Sequence, residues 1–111
     1  MGAQPTFTCA PYQQGHVPAF GEQIAWSESN AVAYANSVLG ARTNRYGDYL
    51  DICCAITARV HAAGLHLDDN RLATCLITLR DIPECLQRRD DFYLVLGDAL
   101  GERVPGGVSY T

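Results

Sequence analysis

The polar side chains that could bind an anion are concentrated in one segment, SESNAVAYANSVLGARTNR, which runs from Ser27 to Arg45. A helix is expected to begin near its hydroxyl and carboxamide side chains, Ser29 and Asn30. Unpaired backbone N–H groups at such a start favour a carboxylate or a phosphate. The same side chains often do no more than cap a helix. The segment is therefore compatible with an anion site and with plain capping.

Two arginines enclose the turn after this helix. Arg42 and Arg45 flank Thr43 and Asn44, and paired guanidinium groups can clamp an anionic substrate through parallel hydrogen bonds. Solvated charges, or partners of nearby aspartates, would give the same pattern. Asn36 precedes them on the packed side of the helix, where a buried amide needs hydrogen-bond partners. Both interpretations of the arginine pair remain open at this point.

The cysteines differ in what their positions allow. Cys9 lies in the loop TCAPY, where a thiol can face a cavity, and a thiolate suits soft metals such as the iron of clusters. Free cysteine is more often a small buried residue, so this segment alone leaves both roles open. The other four are interpreted as packing residues and not as ligands: Cys53, Cys54, Cys75 and Cys85.

The remaining titratable residues give weaker signals. His16, His61 and His66 are dispersed and have no partner four residues away, which argues against a histidine metal site. Glu28 is the carboxylate nearest to the polar segment, and it suits either acid–base chemistry or simple stabilisation of the helix start. An odd cysteine count of 5 without a CxxC motif indicates reduced thiols.

Alternating helices and short strands are expected to position these residues, which favours an α/β fold with helices packed on a short sheet. The first helix should end near Leu39, with Gly40 as its left-handed cap. The second should be largely enclosed, because it is apolar on most sides. The predicted strands are Thr6–Cys9, Ile24–Trp26 and Ala73–Arg80, and the later helices span about 47–60 and about 90–100.

Composition bounds the class of protein. The chain has 111 residues, a net charge of -4 and no run of like charges, which argues against nucleic acid or an anionic membrane as a partner. No apolar stretch is long enough to cross a bilayer, and we find no basic region followed by an apolar run at the start. The sequence therefore predicts one domain of a cytoplasmic protein.

Four motifs, taken in order, carry a family resemblance: GAQPTFTCAPYQ, then IAWSESNAVAYANSVLGARTNRYGDYLDICCAITARV, then GLHLDDNR and FYLVLGDALGERVP. Together they resemble the large subunit or large domain of the aconitase X family. The resemblance implies that residues 1–111 form part of an aconitase-like catalytic domain. Family members are hydro-lyases that act on cis-3-hydroxy-L-proline or on mevalonate 5-phosphate. They use an iron centre held by cysteines, and a smaller subunit or domain completes their active site.

Carried onto this sequence, the resemblance implies roles for six residues. Cys9 becomes the candidate ligand of iron or an iron–sulfur cluster, with the remaining ligands and the general base outside this chain. The residues expected around a small hydroxy-acid substrate are Ser29, Asn30, Asn36, Arg42 and Thr43.

The motif NRYGDYLDICCAI is more similar to the bacterial hydroxyproline-type members. A mevalonate 5-phosphate dehydratase is the alternative, as is a non-catalytic fragment that acts only as an interaction module. Two positions depart from the family pattern: Ala58 stands where glycine is usual, and His61 where proline is usual. We expect these changes to affect the loop after the second helix and not the pocket.

Overall fold

The computed structural model describes residues 8–47, 49–73 and 75–101. They fall into two compact units, the first extending to Leu72 and the second beginning at Ala73. Within the described residues, no helix is both long and apolar enough to cross a membrane.

The first helix confirms the prediction made for the polar segment. Helix α1 spans Ser29–Tyr34 and continues into a π-helical turn, Ala35–Leu39. Its packed face buries Ala31 and Val32, which are 1% and 2% exposed. The turn ends at Gly40, whose φ of 69° lies in the left-handed region that glycine adopts without a steric penalty. A cap at this point sends the chain directly into the arginine-containing loop.

That loop runs parallel to the segment that precedes α1. The N–H of Ile24 donates to the carbonyl oxygen of Arg42 at 3.0 Å, and the N–H of Arg42 donates to the carbonyl oxygen of Glu22 at 2.8 Å. The two segments, 21–26 and 40–46, are joined by isolated parallel bridges and not by a continuous ladder.

The predicted α/β fold with a short sheet is therefore wrong, because residues 8–47, 49–73 and 75–101 form helices and turns but no strand. Part of the reason lies at Trp26, whose N–H donates to the side-chain oxygen of Thr43 at 3.1 Å instead of to a backbone carbonyl. A ladder needs backbone partners on both sides of each bridge. Ile24–Trp26 consequently contributes only an interrupted pairing.

The other two predicted strands are not observed either. Residues 75–80 are exposed and unpaired with any described segment, although their alternation of side chains is typical of a strand. The predicted strand Thr6–Cys9 begins outside the described residues, and Thr8 and Cys9 form a bend. An apolar alternation fits a strand only when a neighbouring strand supplies hydrogen bonds.

Helix α2 spans Leu50–Thr57, within the predicted range, but it is not enclosed. Cys54 is its single buried residue, and Ile52 and Ile56 are 44% and 65% exposed. The helix ends at Ala58, a non-glycine residue with a positive φ of 52°. Apolar composition therefore did not predict how much of this helix is covered within the described part of the chain.

Turns complete the first unit, and two helices form the second. Short 3₁₀ helices span Pro11–Gln13, Gly64–His66 and Asp68–Arg71. In the second unit, α3 spans Glu84–Gln87 and α4 spans Asp90–Gly101. The bounds of α4 confirm the helix predicted to begin at Asp90 or Asp91.

Candidate functional site

The loop that carries Cys9 is attached to the start of α1. The side-chain amide of Asn30 donates a hydrogen bond to the carbonyl oxygen of Cys9 at 3.0 Å. Just beyond, the ring of Tyr12 stacks on that of Tyr34, with centroids 4.0 Å apart and planes inclined by 19°. These contacts hold the backbone of the loop while the Cys9 side chain stays exposed. Two of the predicted site residues, Cys9 and Asn30, are thus brought into direct contact.

A cavity of about 270 Å³ lies beside this loop and the residues leading into α1. Thr8, Ser27 and Glu28 contribute polar groups to its lining, and Asp51 of α2 closes one side. The hydroxyl of Ser27 donates to Oδ2 of Asp51 at 2.5 Å, and the N–H of Ile52 donates to Oδ1 at 2.7 Å. Asp51 is thereby fixed as a wall of the cavity, with both carboxylate oxygens engaged.

Asn36 and Thr43 lie deeper and are bonded to each other. Asn36 is 5% exposed and Thr43 is fully buried. The amide nitrogen of Asn36 donates to the carbonyl oxygens of Val32 and Thr43 at 3.0 and 2.9 Å. Its Oδ1 accepts from the N–H of Thr43 at 3.2 Å and from Nη1 of Arg71 at 2.9 Å. Every hydrogen-bonding position of this side chain is used within the chain, which fixes the loop against α1.

Arg42 lies at the edge of this network, in an ion pair that solvent can reach. Its Nη2 is 2.5 Å from Oδ1 of Asp68, and its Nη1 donates to the carbonyl oxygen of His66 at 3.5 Å. The side chain of Arg42 is 23% exposed and that of Asp68 is 78% exposed. Exposed ion pairs contribute little net stability. Asp68 is the exposed member of this pair, so its carboxylate is open to competition from another carboxylate for the Arg42 guanidinium.

The sequence of the chain matches a known protein family. The family model for the aconitase X first domain matches residues 1–69, which is more than half of the chain. The chain belongs to the aconitase X family. The family resemblance inferred from the sequence motifs is thereby confirmed.

Among aconitase X relatives, cis-3-hydroxy-L-proline dehydratase of Pseudomonas aeruginosa is 55% identical over 101 residues, covering 91% of this chain and 17% of that protein. The phosphomevalonate dehydratase large subunit of Thermococcus kodakarensis is 44% identical over 110 residues, covering 99% of this chain and 28% of that protein. The chain thus spans from 17% to 28% of the length of these relatives.

A solved aconitase X structure has the same fold over this region. The crystal structure of Thermococcus kodakaraensis aconitase X in its holo-form superposes with a TM-score of 0.74 at 39% identity. The match covers 97% of this chain and 27% of that chain. The helices and turns described above are therefore those of the aconitase X fold.

The aconitase X chain offers Cys9 as an accessible thiol. All five cysteines are free, and only Cys54 is buried. The packing interpretation thus describes Cys54, whereas the other three assigned to packing are exposed: Cys53, Cys75 and Cys85. Within the described residues, no group of three or more His, Cys, Asp or Glu side chains is placed to share a metal ion. The assignment of Cys9 as a ligand stays a prediction.

No role was predicted for His66, but the structure places it at the centre of the polar network. The residue is 4% exposed, and its ring lies between Gln23 and Tyr46, at 2.5 Å from Oε1 of Gln23 and 2.6 Å from the Tyr46 hydroxyl. Burial, followed by the charges of His61, Arg42 and Arg71, lowers the pKa of His66 below its usual value. The motif GLHLDDNR contains this residue, but the spacing of its side chains does not reveal contacts with residues 20 or more positions away.

Two larger cavities follow α2. They have volumes of about 410 and 340 Å³ and share Cys54, Arg59 and Val60 in their lining. Helix α2 also carries exposed apolar side chains, among them Ile52 and Ile56. The smaller cavity beside the Cys9 loop is lined by three residues of the predicted polar segment, Ser27, Glu28 and Ala31, and the two larger cavities by none.

Proposed function

We propose that this chain forms part of the catalytic domain of an iron-dependent hydro-lyase that dehydrates cis-3-hydroxy-L-proline. The observation that carries the proposal is the 55% identity with the Pseudomonas aeruginosa dehydratase of that name, against 44% with the phosphomevalonate dehydratase large subunit. The polar segment and the Cys9 loop supply the kinds of groups that this reaction requires. Removal of water needs a site for the substrate carboxylate and assistance for the leaving hydroxyl.

Arg42 is proposed to bind the substrate carboxylate. It is already paired with a carboxylate, that of Asp68, and it is partly exposed. A guanidinium group donates two parallel hydrogen bonds to a carboxylate, so a substrate can take the place of Asp68 without leaving the charge unpaired.

The other predicted substrate residues divide into two proposed roles. Ser29 and Asn30 are proposed to contact the substrate from the start of α1. Asn30 also holds the Cys9 loop through the 3.0 Å hydrogen bond. Asn36 and Thr43 are proposed to hold the backbone around the pocket in place, because their polar atoms are hydrogen-bonded to one another and Asn36 is also bonded to Arg71.

Cys9 is proposed to be one ligand of iron or an iron–sulfur cluster. The residue fits that role in one respect, because Asn30 fixes its backbone carbonyl while the thiol remains exposed. Iron, when bound, would supply Lewis-acid assistance to the departing hydroxyl. The further ligands, and the base that takes the proton next to the carboxylate, are proposed to come from segments outside this chain.

Mevalonate 5-phosphate dehydration is the second candidate function. It is supported by the phosphomevalonate dehydratase large subunit, whose match extends over 99% of this chain. A smaller subunit or domain is proposed to complete the active site in either case. We propose a cytoplasmic location, which is consistent with five free thiols.

A chimaeric enzyme tests the function. The matched 101 residues of the Pseudomonas aeruginosa dehydratase are replaced by the corresponding residues of this chain, and loss of each substrate is followed by proton NMR. We expect the chimaera to dehydrate cis-3-hydroxy-L-proline and to leave mevalonate 5-phosphate unchanged. A folded, iron-loaded chimaera that leaves cis-3-hydroxy-L-proline intact would contradict the proposal.

The same chimaera tests the metal ligand. Cys9→Ala should lower the iron content per chain, because it removes a thiolate donor, whereas Cys53→Ala provides a matched control at another exposed thiol. Iron is measured by atomic absorption after desalting. Equal iron content in the Cys9 variant and the parent would remove Cys9 from the ligand set.

A further inference from the structure

The ring of His66 packs against the loop 40–46, which carries Arg42 and Arg45 and is called the arginine loop below. Its turn, Gly64–His66, packs against the loop 40–46, and the buried imidazole contacts residues from two other parts of the chain, that loop and the segment 21–26. The Tyr46 hydroxyl is 2.6 Å from Nε2, and the N–H of Asn44 donates to the same nitrogen at 3.4 Å. Oε1 of Gln23 is 2.5 Å from Nδ1.

Hydrogen-bond accounting assigns the tautomer. A carboxamide oxygen can only accept, so Nδ1 must carry the proton that it shares with Gln23. The carboxamide orientation is supported from the other side, because Nε2 of Gln23 donates to the carbonyl oxygen of His66 at 3.4 Å. The imidazole Nε2 is then an acceptor for the backbone N–H of Asn44 and for the Tyr46 hydroxyl.

The surroundings favour the neutral ring. Three neighbouring side chains disfavour the charged ring electrostatically: His61, Arg42 in the loop and Arg71 in the turn Asp68–Arg71. The acidic side chain in this region, Asp68, is paired with Arg42. Protonation would place a hydrogen on Nε2, directed at the N–H of Asn44, and would add a positive charge beside the two guanidinium groups.

The backbone of the same residue holds Arg42. Its carbonyl oxygen accepts from Nη1 of Arg42 at 3.5 Å and from Gln23 at 3.4 Å. The ring of His66 therefore contacts the loop 40–46, and the carbonyl oxygen of His66 contacts the Arg42 side chain of that loop.

We propose that His66 is a positioning residue of the site: as a neutral imidazole protonated on Nδ1, it holds the loop 40–46 so that Arg42 is placed to bind the substrate carboxylate. The inference rests on the proposed function only in giving Arg42 that task. The tautomer, and the dependence of the loop on it, are properties of the chain itself.

The first test is made on the unmodified 111-residue chain. Long-range proton–nitrogen NMR of the histidine rings at neutral pH should show His66 protonated on Nδ1 and unprotonated on Nε2, and it should assign a pKa below the usual histidine value. Tyr46→Phe removes a donor to Nε2 and should raise that pKa. Protonation of His66 on Nε2 at neutral pH would overturn the proposal even if every variant failed to fold.

The second test asks whether the ring places Arg42. His66→Leu removes the acceptor and should shift the guanidinium signals of Arg42 and the amide signal of Asn44, whereas His66→Gln supplies an oxygen near the position of Nε2 and should restore them in part. His16→Gln, at an exposed loop histidine, is the matched control. Unchanged Arg42 signals in His66→Leu would overturn the positioning role.

Binding separates this inference from the proposed function. In the chimaeric enzyme, His66→Leu should raise the KM for cis-3-hydroxy-L-proline about tenfold with a smaller change in kcat, because a displaced Arg42 weakens ground-state binding. An equal KM in parent and variant would count against the inference. A chimaera inactive in both forms would refute the function, while the ring tautomer would still decide the structural part.

Discussion

Replacing Asn36 by leucine tests whether its buried amide fixes the arginine loop. Leucine has nearly the same size and no polar atom, so the substitution removes the hydrogen bonds and leaves the space filled. The N–H and the carbonyl oxygen of Thr43 would both lose the partner that Asn36 supplies. Thr43 is fully buried, so water cannot take the place of the amide.

The expected loss of stability follows from those orphaned groups. A buried polar group without a partner costs about 1–3 kcal/mol, so the two backbone groups of Thr43 together cost about 2–6 kcal/mol. Val32 and Arg71 lose less, because the Val32 carbonyl also accepts the N–H of Ala35 and Nη1 of Arg71 also donates to the carbonyl oxygen of Leu65. We therefore expect Asn36→Leu to lower the free energy of unfolding by about 4 kcal/mol.

Urea unfolding of the 111-residue chain, followed by the fluorescence of its single tryptophan, measures this change. Trp26 is a local reporter, because its N–H donates to the side-chain oxygen of Thr43 at 3.1 Å. Ser37→Ala, at the adjacent exposed position, is the matched control and should leave the unfolding midpoint unchanged. A loss below about 1 kcal/mol in Asn36→Leu would refute the reasoning, since it would mean that the buried groups find other partners.

Two further predictions concern the backbone and the pH dependence of stability. Gly40→Ala should destabilise the chain by more than about 1 kcal/mol, because an added Cβ meets both a positive φ and the Phe20 ring. Ala58→Gly should stabilise the chain by about 0.5–1 kcal/mol, because glycine adopts the positive φ of this position without strain. The midpoint of urea unfolding measures both changes. Stability should fall as the pH drops below 6.5, because the folded chain lowers the pKa of His66 and the unfolded chain then binds the proton more readily. The midpoint of urea unfolding, measured between about pH 5 and 8, should depend less on pH in His66→Gln than in the parent chain. An unchanged pH dependence would contradict the assignment of this effect to His66.

Local backbone signals predicted the helices well. The polar residues before α1 and the glycine after it located a helix that the structure bounds at Ser29 and Leu39. The aspartates at 90 and 91 located the start of α4 in the same way. A left-handed glycine acts within a few residues, so its effect can be predicted without knowledge of the rest of the fold. The predicted capping is not observed, because Glu28 precedes α1 and makes no side-chain capping hydrogen bond.

Strands and the buried network depend on partners that are distant in sequence. The alternation in residues 75–80 suits a strand, but no described residue pairs with that segment. Similarly, Asn36 was expected to need partners, yet its bond to Arg71 joins residues 35 positions apart. No periodicity links such residues, because their contacts are made by side chains that meet only after the chain has folded.

The two departures from the family pattern illustrate the same distinction. Ala58 follows α2 with a φ of 52°, where glycine would relieve the steric cost of a left-handed backbone and give the net gain of about 0.5–1 kcal/mol predicted above. This departure therefore acts on local stability. His61 was expected to affect only the following loop, but its ring lies 6.3 Å from that of Tyr46 and its charge helps to lower the pKa of His66. The histidine that stands where proline is usual therefore lies beside the hydrogen-bonded pair of Tyr46 and His66. Through this pair, the second departure affects the proposed site.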